Sequence, residues 1–190
     1  MHGIENGSFK IVFENELTWK QHNDLHKCVN QCFSSRTNSF KLTSFGRRTP
    51  VARVLCYIKN KLVGTAAYYE DLINLDSQVL RVGGLGLLCS ILPGNGIGNE
   101  CRRIISQEIT KMCHTELCIS RVSDKTVNSK TAKNLFFGFI NATMIGANSS
   151  SHEWEKIAVY NTFVDPIVTK SYFDKMNKLN EIKLLFGDVF

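Results

Sequence analysis

"LLCSILPGNGIGNECRRIIS", residues 87–106, ends an apolar run with a proline and then sets Gly94, Gly96 and Gly98 at alternate positions before a helix-like continuation. Glycines at the mouth of a helix suit a phosphate group. Without side chains, successive backbone N–H groups can point into one concavity, and the helix adds the positive end of its dipole. Three ligands compete with a turn that merely joins a strand to a helix: a dinucleotide, a nucleoside triphosphate and the pyrophosphate of coenzyme A. A dinucleotide site wants GxGxxG in the first strand–helix unit, with an acid about 20 residues on. Here the spacing is GxGxG, in mid-chain, behind strands that read as antiparallel. A triphosphate loop needs Gly-Lys-Ser/Thr, and Asn99 and Glu100 stand in those places. A pyrophosphate held by backbone needs neither lysine nor metal, and that reading fits.

Working outward, "SFKIVFEN" reads as an opening strand. Thr18 with Gln21 makes a capping box, followed by Leu25, Cys28, Val29 and Cys32 at helical spacing. "VARVLCYIK" and "LVGTAAYYE" form a hairpin about Asn60, the second strand ending at Glu70 and Asp71. A polar break at Asp76-Ser77 precedes the long strand "QVLRVGGLGLLCSIL". Behind the glycines, Cys101, Ile104, Ile105, Ile109 and Met112 form the buried stripe of a helix. "TELCISRV" is the next strand, and "SKTAKNLFFGFI" a second helix with Ala132, Leu135, Phe136 and Phe139 apolar. "ATMIGAN" and "KIAVYNTFV" are late strands about a Ser-rich loop, and "MNKLNEIKLLFGDVF" is the tail. The order predicts an α/β (α+β) fold in one domain, residues 1–190: a mixed, mostly antiparallel sheet flanked by helices.

Length and composition agree with a globular domain: 190 residues, 43% hydrophobic and 21% charged. No window has the length to span a bilayer, and "MHGIENGSFK" lacks the layout of a secretory signal. The seven cysteines are odd in number, show no CxxC pair and sit in apolar company, so free thiols in a reducing cytoplasm are expected, with no metal site. His22 and His26 share a helix face without a third ligand. A net charge of +6 invites a nucleic-acid reading, but aromatic and basic residues do not interleave, and no nucleic-acid partner is expected. The basic segment 34–48, with Arg36, Lys41, Arg47 and Arg48, is either a solvated loop or a dock for an acidic carrier protein.

The glycine segment resembles motif A of the GCN5-related N-acetyltransferases, whose pattern is L-x-V-x-P, two residues, then R/Q-x-x-G-x-G/A. It runs without a gap from Gly86 to Gly98, with Ser90 in place of the proline and Pro93 in place of Arg/Gln. "NSKTAKNLFFGFIN", from Asn128, is similar to the family's second landmark, an Asn followed by Ala-x-x-Leu-Tyr on a helix, with Phe for Tyr. "FENELTWKQHNDL", "LVGTAAYYEDLI" and "GLGLL" look like the nodulation-factor N-acyltransferase (NodA) branch. "FGDVF" is similar to the end of aminoglycoside 2′-N-acetyltransferases.

The resemblance implies an acyltransferase that uses acetyl-CoA or another acyl-CoA, or an acyl carrier protein, to acylate a primary amine of a small molecule, an amino sugar in the first place. No covalent enzyme intermediate forms. It implies that backbone groups of Gly86 and Leu88 pair with the pantetheine arm, that Gly94, Asn95, Gly96, Ile97, Gly98 and Asn99 hold the pyrophosphate, and that Asn128 belongs to the cofactor site. An N–H near Leu88 would steady the oxyanion. The family's strand glutamate and tyrosine acid are missing: no acid lies between Asp76 and Glu100, and Phe136 and Phe137 replace the tyrosine. Glu70 and Asp71 are the substitute bases. Cys89 lies near the thioester but lacks a histidine partner. Asp188 and the Phe190 carboxylate are candidates for a cationic acceptor. The alternative is a regulator of this fold that binds CoA or an acyl chain without turnover. The protein is expected as a monomer or homodimer.

Overall fold

The computed structural model describes residues 7–33, 48–122, 127–128, 133–145 and 155–183. Among the described residues eight strands, β1 (Gly7–Phe13), β2 (Ala52–Ile58), β3 (Lys61–Leu75), β4 (Gln78–Ser90), β5 (Leu117–Val122), β6 (Phe136–Ile145), β7 (Glu155–Tyr160) and β8 (Glu181–Lys183), hydrogen-bond in the order β1-β2-β3-β4-β5-β7-β6-β8. The chain divides into two compact units, Met1–Tyr69 with Gly86–Ile105, and Glu70–Leu85 with Ser106–Phe190.

In the first unit, β1 (Gly7–Phe13) pairs antiparallel with β2 (Ala52–Ile58), and β2 with the start of β3 (Lys61–Leu75). Lys59 and Asn60 both have positive φ, +48° and +61°, the backbone of a tight hairpin turn whose twist matches its strands. α1 (Trp19–Cys32) begins at the expected box: Gln21 N–H donates to Thr18 Oγ1 at 3.3 Å and Thr18 N–H to Gln21 Oε1 at 2.8 Å. Its buried face of Leu25, Cys28 and Val29 packs on Leu55, Leu62 and Cys89, with Cys32 half-buried at the rim.

In the second unit, β4 (Gln78–Ser90) pairs parallel with β5 (Leu117–Val122) from Val82↔Leu117 to Gly84↔Ile119. β5 pairs antiparallel with β7 (Glu155–Tyr160), β7 antiparallel with β6 (Phe136–Ile145), and β6 parallel with β8 (Glu181–Lys183). The core draws residues two apart from each strand: Ile73 and Leu75, Leu80 and Val82, Leu117 and Ile119, Ile140 and Ala142, Ile157 and Val159. α3 (Pro166–Met176) closes it with Met176.

Four expectations change. Glu70 and Asp71 do not end β3, which runs on to Leu75, and Asp71 is buried. The second predicted helix is a 3-10 turn at Lys133–Leu135 followed by β6. Phe136 to Ile140 repeats at helical spacing, but pairing with β7 outweighs that local signal, burying Ile140 and Ala142 and exposing Asn141. Met112 is 50% exposed. α2 (Ile97–Arg103) continues as π-helical turns, Ile104–Ile109, before a last α turn at Thr110–Met112. A π segment winds more slowly than an α-helix, so Cys101, Ile104, Ile105 and Ile109 stay buried while Met112 rotates off the stripe. Finally, α3 occupies a stretch that the sequence reading assigns to no element, although Asp165 caps it by accepting from Ile167 N–H at 2.7 Å and Pro166 occupies its first turn.

Candidate functional site

The site begins where β4 changes course. Leu87 has φ +46°, a left-handed conformation that a leucine holds only under strain. Gly86 before it is buried and Leu88 after it is half-buried. The end of β4 is tied to β3: Ile91 N–H donates to Val63 O at 2.9 Å, and Ser90 Oγ lies 3.2 Å from the same carbonyl. Ser90 Oγ also accepts from Leu92 N–H at 3.1 Å. The serine that replaces the motif's proline thus pins the strand end by hydrogen bonds.

From this anchor the chain turns through exposed residues 92–96 into α2. Gly94 and Gly96 have φ +85° and +75°, and nothing lies within 4 Å of where a Cβ on either would stand. Gly96 is the N-cap and offers no side-chain acceptor. Among the described residues no hydrogen bond engages the N–H groups of Gly94, Asn95, Gly96, Ile97 or Gly98. Asn99 N–H instead donates to Gly96 O at 3.1 Å, so five of the six expected donors are free for a ligand. An exposed run of unsatisfied donors with room before it fits an anionic pyrophosphate.

Charge around the loop is balanced in the same sense. Glu100, which alone would repel an anion, is paired with Arg103 at 2.7 Å. Arg102 reaches back one turn, donating from Nη1 to Asn99 Oδ1 at 3.1 Å, with Nη1 3.6 Å from the Cβ position of Gly98. Its Nε is buried with no partner among the described residues. Sequence reading passed over Arg102, although its spacing of four from Gly98 marks the same helix face.

Glu70 and Asp71 open the second unit on β3; Asp71 Oδ1 accepts from Leu72 N–H at 2.7 Å. Asn128 is exposed, in a short turn. Phe136 is buried, its ring centroid 5.0 Å from those of Phe139 and Tyr160. His2, Arg36, Lys41, Arg47, His152, Asp188 and Phe190 lie outside the described residues.

Cys89 is not alone. Its sulfur lies within 4.8 Å of those of Cys28 and Cys32. A hydrogen bond from Cys89 holds the Cys28 thiol below its usual range against the opposing effect of burial. The same bond and burial push Cys89 up, so it stays a thiol. Burial likewise raises Cys32.

No family model and no curated protein matches this chain. Solved structures do, and the fold they share with it is that of the GCN5-related N-acetyltransferases. Escherichia coli ElaA superposes with a TM-score of 0.54 at 15% identity, over 82% of this chain and 99% of its own. An acyl-CoA N-acyltransferase from Pseudomonas aeruginosa gives 0.55 at 10% identity over the same shares, 82% and 99%. Eis1 of Mycobacterium abscessus gives 0.52 at 12% identity over 70% of this chain, which spans only 32% of Eis1. At such identities the likeness is one of fold.

Proposed function

We propose that the chain is an N-acyltransferase, passing an acetyl or longer acyl group from acyl-CoA, or from an acyl carrier protein, to the primary amine of a small molecule such as an amino sugar. The observation that carries this reading is the Gly94–Gly98 loop, open and rich in free donors, at the start of α2 behind a strained β4. The name of the P. aeruginosa neighbour supports it.

In this reading the bound donor supplies a thioester carbonyl. The free N–H groups of Gly94 to Gly98 and the Arg102 guanidinium hold its pyrophosphate; the backbone of Gly86 and Leu88 lines its arm. A backbone N–H at Leu88 takes the charge that develops on the carbonyl oxygen. Glu70, with Asp71 beside it in sequence, accepts the amine proton directly or through a water. The C–N bond forms, the C–S bond breaks, and the thiolate leaves to be protonated by solvent. Positioning supplies most of the acceleration. Asn128 contributes to the cofactor site, and the protein works in a reducing compartment as a monomer or homodimer.

A non-catalytic CoA-binding protein is the second reading, favoured by Phe136, which stands in the sequence where the resemblance expects a tyrosine acid and packs at a tilt against Tyr160. A thiol-release assay separates the two. Acetyl and long-chain CoA donors are tested against amino sugars, polyamines and aminoglycosides. Amine-dependent release above background hydrolysis is expected; CoA bound without release from any pair would leave only the binding protein.

A further inference from the structure

Cys28 and Cys32 stand one turn apart on α1, so both sulfurs leave the same face of the helix. Cys89, the last residue but one of β4, meets them from the sheet, and the three Sγ atoms lie within 4.8 Å of one another. Sequence spacing shows only the first two. The third arrives through packing of α1 on the end of β4.

The surroundings decide what such a group can hold. Leu25, Val29, Leu55 and Leu62 are buried around it, with Tyr57 and Ile91 partly buried against them. No carboxylate or imidazole joins the three sulfurs among the described residues. An all-sulfur donor set excludes calcium and magnesium, which require oxygen, and selects thiophilic ions. A metal–thiolate bond of about 2.3 Å puts ligating sulfurs roughly 4 Å apart. The sulfurs therefore need move by less than about 1 Å to close on an ion.

An entry path exists. A cavity of about 250 Å³ is lined by Cys28, Leu62 and Ile91, with Lys27 and Lys61 also on its walls. The charged side chains on the cavity wall, Lys20, Lys27 and Lys61 against Asp24, are cationic in sum and offset the negative charge that three thiolates around an ion retain. A fourth ligand position open to the cavity suits the four-coordinate geometry of a divalent d10 ion.

We propose that Cys28, Cys32 and Cys89 form a three-thiolate site for a divalent thiophilic d10 ion of the zinc–cadmium class, with the fourth position facing the cavity. The ion replaces the protons of those thiols that are protonated and releases them to solvent; nothing is oxidised or reduced. Occupancy ties α1 to the last residues of β4. The site stands independently of the acyl-transfer reading.

The test is an anaerobic titration of the reduced full chain with cadmium alone, following the ultraviolet thiolate-to-cadmium charge-transfer band. One equivalent should saturate the band and raise the melting temperature. Cys32→Ser, at a half-buried position, should lower the band by about a third, one ligand in three. The same substitution should weaken binding by more than roughly tenfold, a range that even outer partners of a metal site control. Cys89→Ser should do the same, with circular dichroism to confirm the fold, and Cys113→Ser should change nothing. A band that keeps its full intensity and affinity in both Cys32→Ser and Cys89→Ser, one lost in Cys113→Ser, or no band in the folded reduced protein would overturn the site.

Discussion

The ring of Phe173 in α3 abuts Gly138 of β6: its Cε2 and Cζ are 2.6 Å from the point where a Cβ on that glycine would stand. The ring cannot simply swing away, because Phe137 packs against its edge at a centroid distance of 5.5 Å. Gly138→Ala should therefore destabilise the protein by about 1–3 kcal/mol through overpacking. Denaturant unfolding of the single variant and of Gly138→Ala with Phe173→Leu checks this. The smaller side chain should recover part of the loss.

Gly98 offers a cleaner probe of the ligand loop than its neighbours. Its φ is ordinary, and a Cβ there meets only Arg102 Nη1 at 3.6 Å and Leu88 Cδ2 at 3.8 Å, both normal contacts. Gly98→Ala should keep or slightly raise the melting temperature, since alanine favours a helix by up to about 1 kcal/mol. It should nonetheless weaken CoA binding by calorimetry, because the methyl projects beside the donors. Gly96→Ala, at φ +75°, should lose stability as well as affinity. Arg102→Gln should weaken CoA most at low salt, where its charge is least screened.

Glu14 and Arg53 form an ion pair that the fold encloses, with Nε–Oε2 at 2.7 Å and Nη2–Oε1 at 3.2 Å. Arg53 is fully buried, so removing Glu14 takes a bidentate charge partner from a guanidinium shut off from solvent. Glu14→Ala should cost about 3 kcal/mol of unfolding free energy, the lower end for a broken buried pair. The combined change Glu14→Gln and Arg53→Met should be milder than Glu14→Ala, as read from urea midpoints.

Alkaline pH should loosen the fold by a predictable route. Burial pushes the thiols of Cys56 and Cys101 up from 9.0 to about 11 and about 12, with Cys28 adding to the first and Cys56 to the second. Their folded values lie above the unfolded value, so the stability they contribute is fully present below pH 9 and drains away as pH rises from 9 through about 11 for Cys56 and about 12 for Cys101. Each group should remove roughly 1 kcal/mol per pH unit in that window. Melting curves across the window test the sign, and Cys101→Ala should flatten the decline.

Glu70→Gln should depress acyl transfer by about 10²–10⁴-fold while leaving CoA affinity unchanged, if its carboxylate takes the amine proton. The loss should be greatest at low pH, where the acceptor is an ammonium ion. Phe136→Tyr should change turnover little, since a thiolate leaves without help from an acid. Initial rates and calorimetry on the same preparations separate the two effects.

Features made within a few residues were legible in the chain. Thr18 and Gln21 cap each other, Lys59-Asn60 turns a hairpin, and Gly94 and Gly96 adopt positive φ; each depends on backbone sterics or bonds spanning three or four positions. The turn at Gly94 and Gly96, on which the proposed pyrophosphate site rests, is of this local kind. Asp165-Pro166 was an equally local helix start, and it went unread.

Elsewhere long-range packing set the outcome. Phe136 to Ile140 carries helical spacing, yet β7 offers a ladder of hydrogen bonds and a buried face, and the segment is a strand. Met112 sits on the predicted stripe, but the π turns before it rotate it to solvent. Cys28 and Cys32 announce a pair, while Cys89, fifty-seven residues beyond Cys32, joins them only when α1 lies on β4. Sequence spacing specifies which side chains share a face of one element; which faces meet depends on burial summed over elements distant in the chain, and that is decided only in the folded structure.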